Sequence, residues 1–222
     1  AFLAVSVTFI NELARLCEAV GADAKEVERG LKTESRIGPK AYLAPGGAFA
    51  GGTLARDVAF LTALGKTHEL ALPLLSGVRP SNEAHKQWAE RRLVERLGAL
   101  RGVTIAVWGL TYKPGTDTLR RSAAVELCKD LVARGARVVA FDPSLRALPD
   151  ELAAIELAPD PGTSLEGASA LVVATEWPTF KELDLAAMLP RMQRPLVLDA
   201  NRFLAANATG SEYYAVGVPT RG

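Results

Sequence analysis

The first part of the chain carries the apolar spacing of helices. One stripe at helical spacing consists of Phe2, Phe9, Leu13, Leu16 and Val20. Because Gly21 follows this stripe as a natural C-terminal cap, we predict a long amphipathic first helix. Asp23 and Glu26 then have the spacing of a capping box, which predicts a second, short helix that runs to about Leu31.

A glycine-rich segment and a further helical stretch complete this part. Residues 44–52 read APGGAFAGG, a composition that favours a loop whose backbone can approach a ligand closely. Residues 56–97 favour helix, with interruptions near Pro73 and Pro80, and Ser81 is placed as an N-cap for the last helix. We therefore expect this part of the chain to be mostly α-helical.

The pattern changes at Gly102. Residues 103–110 read VTIAVWGL, a nearly continuous apolar run that is typical of a strand buried on both faces of a parallel sheet. A helix is predicted next, ending near Gly135, and RVVAFDP is the second strand candidate. The apolar face of that helix consists of Ala124, Leu127, Cys128 and Leu131.

Strands and helices continue to alternate toward the C-terminus. Two more strand candidates are ALVVAT, which ends at Thr175, and PLVLDA, which ends at Ala200. The predicted fold class is therefore α/β, with an all-α domain at residues 1–98 and a doubly wound parallel-sheet domain at residues 99–222.

Composition and charge exclude several classes of protein. The chain is 49% hydrophobic and 23% charged, which is typical of a folded protein. Its formal net charge of +1 gives no reason to expect nucleic acid or a membrane surface as a partner. The two cysteines, Cys17 and Cys128, lack the spacing of a zinc site or a disulfide scaffold, so we expect no metal and a cytoplasmic location.

Charged residues follow the predicted strands. Ligands bind outside the carboxyl ends of the strands in open parallel sheets, so these positions are the first candidates for a site. They are Lys113, Asp117, Arg120 and Arg121 after the first strand, Asp142 after the second, and Asp199 and Arg202 after the fourth. Converging cations would suit a phosphorylated ligand, and the alternative is a set of solvated surface charges.

Six segments together resemble the nucleotide-sugar dehydrogenases, the UDP-glucose and GDP-mannose dehydrogenase family. They are FINELARLCEAVGAD, RIGPKAYL, the glycine loop ending in ARD, GLTYKPGTDTLRRS, ATEWPTF and GSEYYAVGVP. The resemblance implies a central helical dimerisation domain at residues 1–98 and a Rossmann-like domain for the nucleotide sugar at residues 99–222, with a homodimer formed through the long first helix. It also implies that the family's N-terminal NAD-binding Rossmann domain is absent from this chain, which we therefore expect to be a C-terminal fragment.

The resemblance also implies a chemistry. Family members oxidise the C6 alcohol of a UDP- or GDP-sugar with NAD, and a cysteine thiolate captures the intermediate aldehyde so that the second oxidation gives an acid. In this chain Thr53 stands at the position of that cysteine. Asp57 matches the family's aspartate, associated with activating water, and its alternative is a charge that favours the following helix. Cys17 and Cys128 are expected to be packing residues.

Other site residues are carried over position by position. The substrate positions are Arg36, Tyr42, Leu43, Phe49, Gly51 and Lys113, and the cofactor positions are Arg56 and Arg120. Asn201 replaces the family's substrate arginine, and Arg202, one residue later, is the candidate to compensate for it. His68 and His85 are expected to be surface or cap residues, Trp108 a core residue and Trp177 a loop anchor.

Three functions remain open at this point. One is an active NAD-dependent oxidoreductase that stops at the aldehyde or reaches the acid by another route. The second is a binding or regulatory homologue that keeps the nucleotide-sugar pocket without turnover, which Thr53 and Asn201 favour. The third is a structural partner that only dimerises with a full-length enzyme. The sequence does not distinguish UDP from GDP, nor one sugar from another.

Overall fold

The computed structural model describes residues 1–219 and divides into two compact units. The first comprises Ala1–Trp88 and the C-terminal segment that begins at Ala215, and the second comprises Ala89–Tyr214. The boundary therefore lies at residue 88 and not at the predicted residue 98, because most of the helix at Trp88–Leu97 belongs to the second unit. Within that unit Glu90 pairs with Arg134, and Arg96 pairs with Glu212.

Helices form the first unit, as predicted. They are α1 (Phe2–Val20), α2 (Ala24–Thr33), α3 (Thr53–Thr67) and α4 (Pro73–Lys86), and α5 (Trp88–Leu97) follows. Gly21 ends α1 in a left-handed conformation, with φ of 79°. The side chain of Asp23 accepts a hydrogen bond from the backbone N–H of Lys25 and so caps α2.

Helix α4 corrects one prediction. It runs through Pro80 without a break, and Ser81 lies inside the helix rather than at an N-terminal cap. The side-chain hydroxyl of Ser81 donates to the carboxylate of Glu12 on α1. Val78 and Asn82 are buried on either side of the proline, so packing of this face holds the helix together despite the missing N–H.

The apolar stripe of α1 faces outward. Phe2 is 80% exposed, Leu16 57% and Val20 67%. The buried face of the helix instead consists mainly of small and polar residues, namely Ala4, Ser6, Thr8, Ile10, Asn11, Ala14 and Cys17. The spacing predicted the helix correctly, but the large apolar side chains do not form the core of this unit.

The second unit contains a six-stranded, all-parallel sheet with the order β3-β2-β1-β4-β5-β6. Its strands are β1 (Thr104–Trp108), β2 (Arg137–Phe141), β3 (Ile155–Leu157), β4 (Ala170–Val173), β5 (Leu196–Asp199) and β6 (Glu212–Tyr214). Its helices are α6 (Ala123–Ala133), α7 (Pro161–Ser164) and α8 (Leu185–Met188). The doubly wound prediction is confirmed, and β3 and β6 are strands that the sequence pattern did not reveal.

The core of the sheet unit is built around Trp108. Its side chain is fully buried, its indole N–H donates to the Oγ of Ser164 at 2.8 Å, and its ring centroid lies 5.2 Å from that of Phe180. Cys17 and Cys128 are both buried and free, so their prediction as packing residues is confirmed. Among residues 1–219, no helix combines the length and apolar character needed to cross a membrane.

Candidate functional site

The strand order creates a crevice between β1 and β4. From β1 the strand order runs to β2 and β3 on one side and to β4, β5 and β6 on the other, so the order reverses between β1 and β4. Such a reversal is the switch point at which doubly wound sheets bind ligands. Gly109 leaves β1 with φ of 84°, and a Cβ atom there would lie 2.3 Å from the backbone oxygen of Thr175. The Oγ1 of Thr175 in turn donates to the carbonyl of Thr111 at 2.6 Å. The close approach of these two strand ends therefore requires a glycine.

Asp142 holds the loops at this edge together. Its Oδ2 accepts from the backbone N–H groups of Leu110 and Thr111, at 2.8 and 3.0 Å, and from the indole of Trp177 at 3.2 Å. Its Oδ1 accepts from the backbone N–H and the hydroxyl of Ser144. Desolvation raises the pKa of this carboxyl, but the hydrogen bonds from Ser144, Thr111 and Leu110 prevail and hold the pKa below its usual value.

These contacts bear on what the sheet can bind. In a typical dinucleotide site an acidic residue near the end of the second strand accepts from the ribose hydroxyls, and glycines in a GxGxxG loop face the diphosphate. Both oxygens of Asp142 are already engaged by the protein, and the loop after β1 reads GLTYKP. The β1–α6–β2 segment therefore does not fit NAD in that manner. Trp177, bonded to Asp142, is the loop anchor that the sequence predicted.

The loop after β1 is cationic and exposed. Lys113, Arg120 and Arg121 are all solvent-exposed, and none of the three forms an ion pair with a carboxylate in the described part of the chain. The backbone N–H of Tyr112 donates to the carbonyl of Thr118 at 2.8 Å, which closes the loop on itself. Arg121 has a φ of 61°, an unusual conformation for a residue with a side chain. The loop thus gathers three cations beside the crevice.

A second group of polar side chains, which includes Asp199 and Tyr213, lies at the end of β5. Asp199 is buried, and its Oδ2 accepts from the hydroxyl of Tyr213 at 2.8 Å and from the backbone N–H of Leu204. Arg202 has a φ of 59° and a buried Nε, and its charge acts on Tyr213. Burial and the Asp199 carboxylate raise the pKa of Tyr213, and Arg202 opposes them. Part of the Arg202 side chain is thus directed toward this buried group.

Asn201 lies on the exposed side of the same turn. Its amide donates to the carboxylate of Glu176, which follows β4. Desolvation raises the pKa of Glu176, the amide of Asn201 lowers it, and the charge of Asp199 raises it further. At the position where the family has a substrate arginine, this chain therefore has a neutral amide that is hydrogen-bonded to a carboxylate.

In the helical unit, the glycine loop is tied to two helices by side chains that the sequence did not single out. Asn11 on α1 accepts from the backbone N–H of Gly46 at 3.0 Å, and its amide lies 3.4 Å from the carbonyl of Gly47. Asn82 on α4 accepts from the N–H of Phe49 at 3.0 Å and donates to its carbonyl at 2.9 Å. The feature that could have indicated both asparagines is a polar residue on the buried face of a helix.

The two histidines have different surroundings. The Nε2 of His85 on α4 lies 2.8 Å from the carbonyl of Gly46, so it belongs with the contacts of the glycine loop rather than with the free surface. Because a carbonyl only accepts hydrogen bonds, Nε2 is the protonated nitrogen in this contact. His68 is exposed and caps the C-terminus of α3, as predicted.

The glycine loop leads directly into α3. Thr53 is the first residue of that helix, and Gly52 is its N-cap. Asp57 lies one turn further on, and with Arg56, Phe60, Leu61 and Ala1 it lines an open cavity of about 410 Å³. Thr53 and Arg56 are exposed, and Asp57 is partly exposed. The structure thus brings the predicted catalytic positions together at one helix end.

The remaining predicted substrate residues precede or lie in the glycine loop. Arg36 is exposed and pairs with Glu34 at 2.8 Å, and Tyr42 is 59% exposed. The Leu43 side chain is buried, Phe49 is half-buried and Gly51 is exposed. Arg36 and Tyr42 are therefore available to a ligand or to another chain, whereas Leu43 can offer only its backbone.

These features define a doubly wound α/β protein with an appended helical unit, a class that binds ligands at the carboxyl edge of its sheet. Residues 1–84 match the central domain of the UDP-glucose/GDP-mannose dehydrogenase family, and residues 106–206 match its UDP binding domain. The chain belongs to the UDP-glucose/GDP-mannose dehydrogenase family.

Individual relatives agree with this assignment. The chain is 34% identical over 224 residues to the UDP-glucose 6-dehydrogenase of Rhizobium meliloti (strain 1021), covering 99% of this chain and 51% of the relative. It is 32% identical to UDP-glucose 6-dehydrogenase TuaD of Bacillus subtilis (strain 168), covering 99% and 48%. A UDP-glucose dehydrogenase structure from Pyrobaculum islandicum matches with a TM-score of 0.80 and 28% identity over 99% of this chain and 49% of that one. The chain thus spans about half the length of these relatives.

Proposed function

We propose that the chain is part of an NAD-dependent nucleotide-sugar 6-dehydrogenase that oxidises the C6 alcohol of a UDP- or GDP-sugar. The observation that carries this proposal is the exposed cationic loop at the switch point of a sheet that matches a UDP binding domain. A diphosphate carries the charge that Lys113, Arg120 and Arg121 would offset. The cytoplasmic location remains a prediction.

The proposed substrate residues are assigned for each unit separately. On the sheet unit, Lys113 contacts the nucleotide sugar, and Arg202 supports the end of β5 because its charge acts on Tyr213, which is hydrogen-bonded to Asp199. On the helical unit, the substrate residues are Arg36, Tyr42, Leu43, Phe49 and Gly51. The family resemblance implies that Arg36, which is exposed, reaches a ligand held by a second copy of the chain.

The cofactor role rests on two arginines. Arg56 and Arg120 are exposed and form no ion pair with a carboxylate in the described residues, so they fit contact with the phosphates of NAD. When bound, NAD supplies the hydride acceptor. Asp57 can accept the proton of the substrate hydroxyl or of a water molecule, because its carboxylate lines the cavity at the start of α3.

Thr53 limits the outcome of the reaction. A cysteine thiol has a pKa of about 8.5, whereas a threonine hydroxyl keeps its proton at neutral pH and does not trap an aldehyde as a covalent intermediate. We therefore propose that oxidation stops at the aldehyde. The second candidate function is a nucleotide-sugar-binding homologue without turnover, which Thr53 and the Asn201–Glu176 pair favour.

The nucleotide site is tested by calorimetric titration of the chain with UDP and with GDP. We expect one of them to bind, and Lys113→Ala to weaken that binding about tenfold or more, since hydrogen bonds to charged groups contribute about 1.5–3 kcal/mol. Lys129→Ala, an exposed lysine on α6, is the matched control and should bind as the parent chain does. Failure of both nucleotides to bind would contradict the nucleotide site.

We also propose that the protein is a homodimer formed through α1. Phe2, Phe9 and Leu16 are 80%, 46% and 57% exposed along one stripe, and large apolar stripes of this kind mark interaction surfaces. Leu16→Glu is expected to convert a dimer into a monomer in sedimentation velocity, because it places a charge in the stripe. Arg15→Glu places a glutamate off the stripe, with a larger change of net charge, and should leave the dimer intact. A parent chain that is monomeric at micromolar concentration contradicts the proposal.

A further inference from the structure

The backbone of the glycine loop is ordered by side chains from outside it. In the segment 44–52, the N–H of Gly46 and both backbone groups of Phe49 bind the amides of Asn11 and Asn82. These two asparagines are only 3% and 2% exposed. A buried backbone group without a partner is costly, so each amide replaces bonds that a loop of this composition does not make within itself.

The contact of Asn82 with Phe49 has a specific geometry. One side-chain amide both accepts from the N–H and donates to the carbonyl of the same residue, at 3.0 and 2.9 Å. This is the pattern by which a neighbouring strand exchanges two hydrogen bonds with one residue. A paired contact fixes both the position and the orientation of the Phe49 peptide groups, which a single bond would leave free to rotate. His85 holds Gly46 from the same helix, one turn further along α4.

Phe49 lies four positions before Thr53. Between them the N–H of Gly52 donates to the carbonyl of Ala50 at 2.8 Å, and the carbonyl of Gly52 accepts from Arg56 at 3.2 Å. The chain thus passes from the fixed peptide of Phe49 through one tight turn into the first turn of α3. The place and direction of the exposed helix start are therefore set by the contacts of Phe49 and Gly46.

We propose that Asn82, assisted by Asn11 and His85, is a positioning residue that fixes the glycine loop and with it the side chain at position 53 at the N-terminus of α3. The proposal rests on and deepens the proposed function, because in that function the residue at position 53 decides whether oxidation stops at the aldehyde. It concerns the geometry of the helix start itself, so its test needs neither a nucleotide nor NAD.

The test uses a thiol at position 53 as a reporter. Thr53→Cys places a cysteine at the first residue of α3, while Cys17 and Cys128 are buried and shielded from an alkylating reagent such as iodoacetamide. The pH profile of alkylation should show a midpoint below the ordinary value of about 8.5, because a helix N-terminus stabilises the thiolate. Adding Asn82→Leu should move this midpoint back toward about 8.5. It should also raise amide hydrogen exchange at Phe49 on the order of tenfold, as expected for the loss of one hydrogen bond.

The control is Ser81→Ala in the Thr53→Cys background. Ser81 neighbours Asn82 on α4, but its hydroxyl bonds to Glu12 and not to the loop, so both readouts should stay unchanged. If Asn82→Leu fails to fold, His85→Leu removes the contact with Gly46, leaves Asn82 in place, and should shift both readouts in the same direction by less. A folded variant of Asn82 or His85 with an unchanged pH midpoint and unchanged exchange at Phe49 would overturn the proposal. Failure of both UDP and GDP to bind would instead contradict the proposed function alone.

Discussion

Replacing Thr53 with cysteine is expected to turn an oxidation that stops at the aldehyde into one that reaches the uronic acid. The residue is exposed and opens a helix of 15 residues, where the partial positive charge of the N-terminus favours a thiolate. The thiolate can add to the aldehyde and, with uptake of a proton on oxygen, form a thiohemiacetal. Loss of a second hydride to NAD, with release of the hydroxyl proton, then gives a thioester. Water then hydrolyses the thioester to the acid and regenerates the thiol. A hydroxyl at the same position lacks the acidity to do this.

The measurement is the yield of NADH for each molecule of UDP-glucose consumed by the protein expressed from its complete reading frame. We expect the yield to rise from one to two with Thr53→Cys, and mass spectrometry to detect the acid. Thr53→Ser is the matched control, since it keeps a hydroxyl and should leave the yield at one. A cysteine variant that yields no acid would show that position 53 is not the sole barrier, and Asn201 would be the next position to change.

Replacing Gly109 with alanine is expected to destabilise the sheet unit strongly. The new Cβ would lie 2.3 Å from the oxygen and 2.7 Å from the nitrogen of Thr175, and backbone atoms cannot yield as a flexible side chain can. The left-handed conformation costs about 1–2 kcal/mol for a residue with a side chain, and overpacking costs about 1–3 kcal/mol more. We therefore expect the free energy of unfolding to fall by about 2–5 kcal/mol in urea denaturation.

Gly210→Ala separates the two contributions to this effect. Gly210 has a φ of 85°, against 84° at Gly109, but a Cβ atom added at Gly210 would meet nothing within 4 Å. This variant should therefore lose only the conformational part, about 1–2 kcal/mol. Equal losses of unfolding free energy in the two variants would mean that β1 and β4 can move apart here at no energetic cost. That result would contradict the close approach of the two strand ends.

Sequence periodicity predicted the longer helices, apart from the continuity of α4 through Pro80, and the four central strands, because burial on a regular element imposes a regular spacing. It could not predict β3 and β6, which are only three residues long and lie at the two edges of the sheet. Nor did it show which face of α1 is buried. Small residues such as Ala4 and Ala14 allow close packing inside the unit, while large apolar residues of the predicted stripe, such as Phe2 and Leu16, remain outside.

Pro80 illustrates how tertiary packing overrides a local signal. A proline in a helix interior favours a break, but the residues on either side of it, Val78 and Asn82, are both buried. Asn82 also holds Phe49, so its place in the helix is fixed by contacts with a loop 33 positions earlier in the chain. Such long-range contacts leave no periodic trace in the sequence.

The candidate site was predicted in part. Sequence motifs located the cationic loop and the glycine loop and showed that Thr53 stands at the position of the family's cysteine. Each of these features is a continuous stretch of sequence. Asp142 could be found as a strand-end carboxylate, but its role in binding the backbone of Leu110 and Thr111 required the fold. Asn11 and Asn82 were missed, since an isolated asparagine in a helix carries no local signature of the loop that it holds.

The central claim is that this chain serves oxidation of a nucleotide sugar but, with Thr53 in place, supports only one hydride transfer. The most direct test is the NADH yield of the unaltered protein, expressed from its complete reading frame, with UDP-glucose, GDP-mannose and their N-acetylated counterparts. We expect one NADH for each sugar consumed and an aldehyde product. A yield of two with a uronic acid would contradict the role assigned to Thr53, and no NADH with any of these sugars would contradict the oxidoreductase itself.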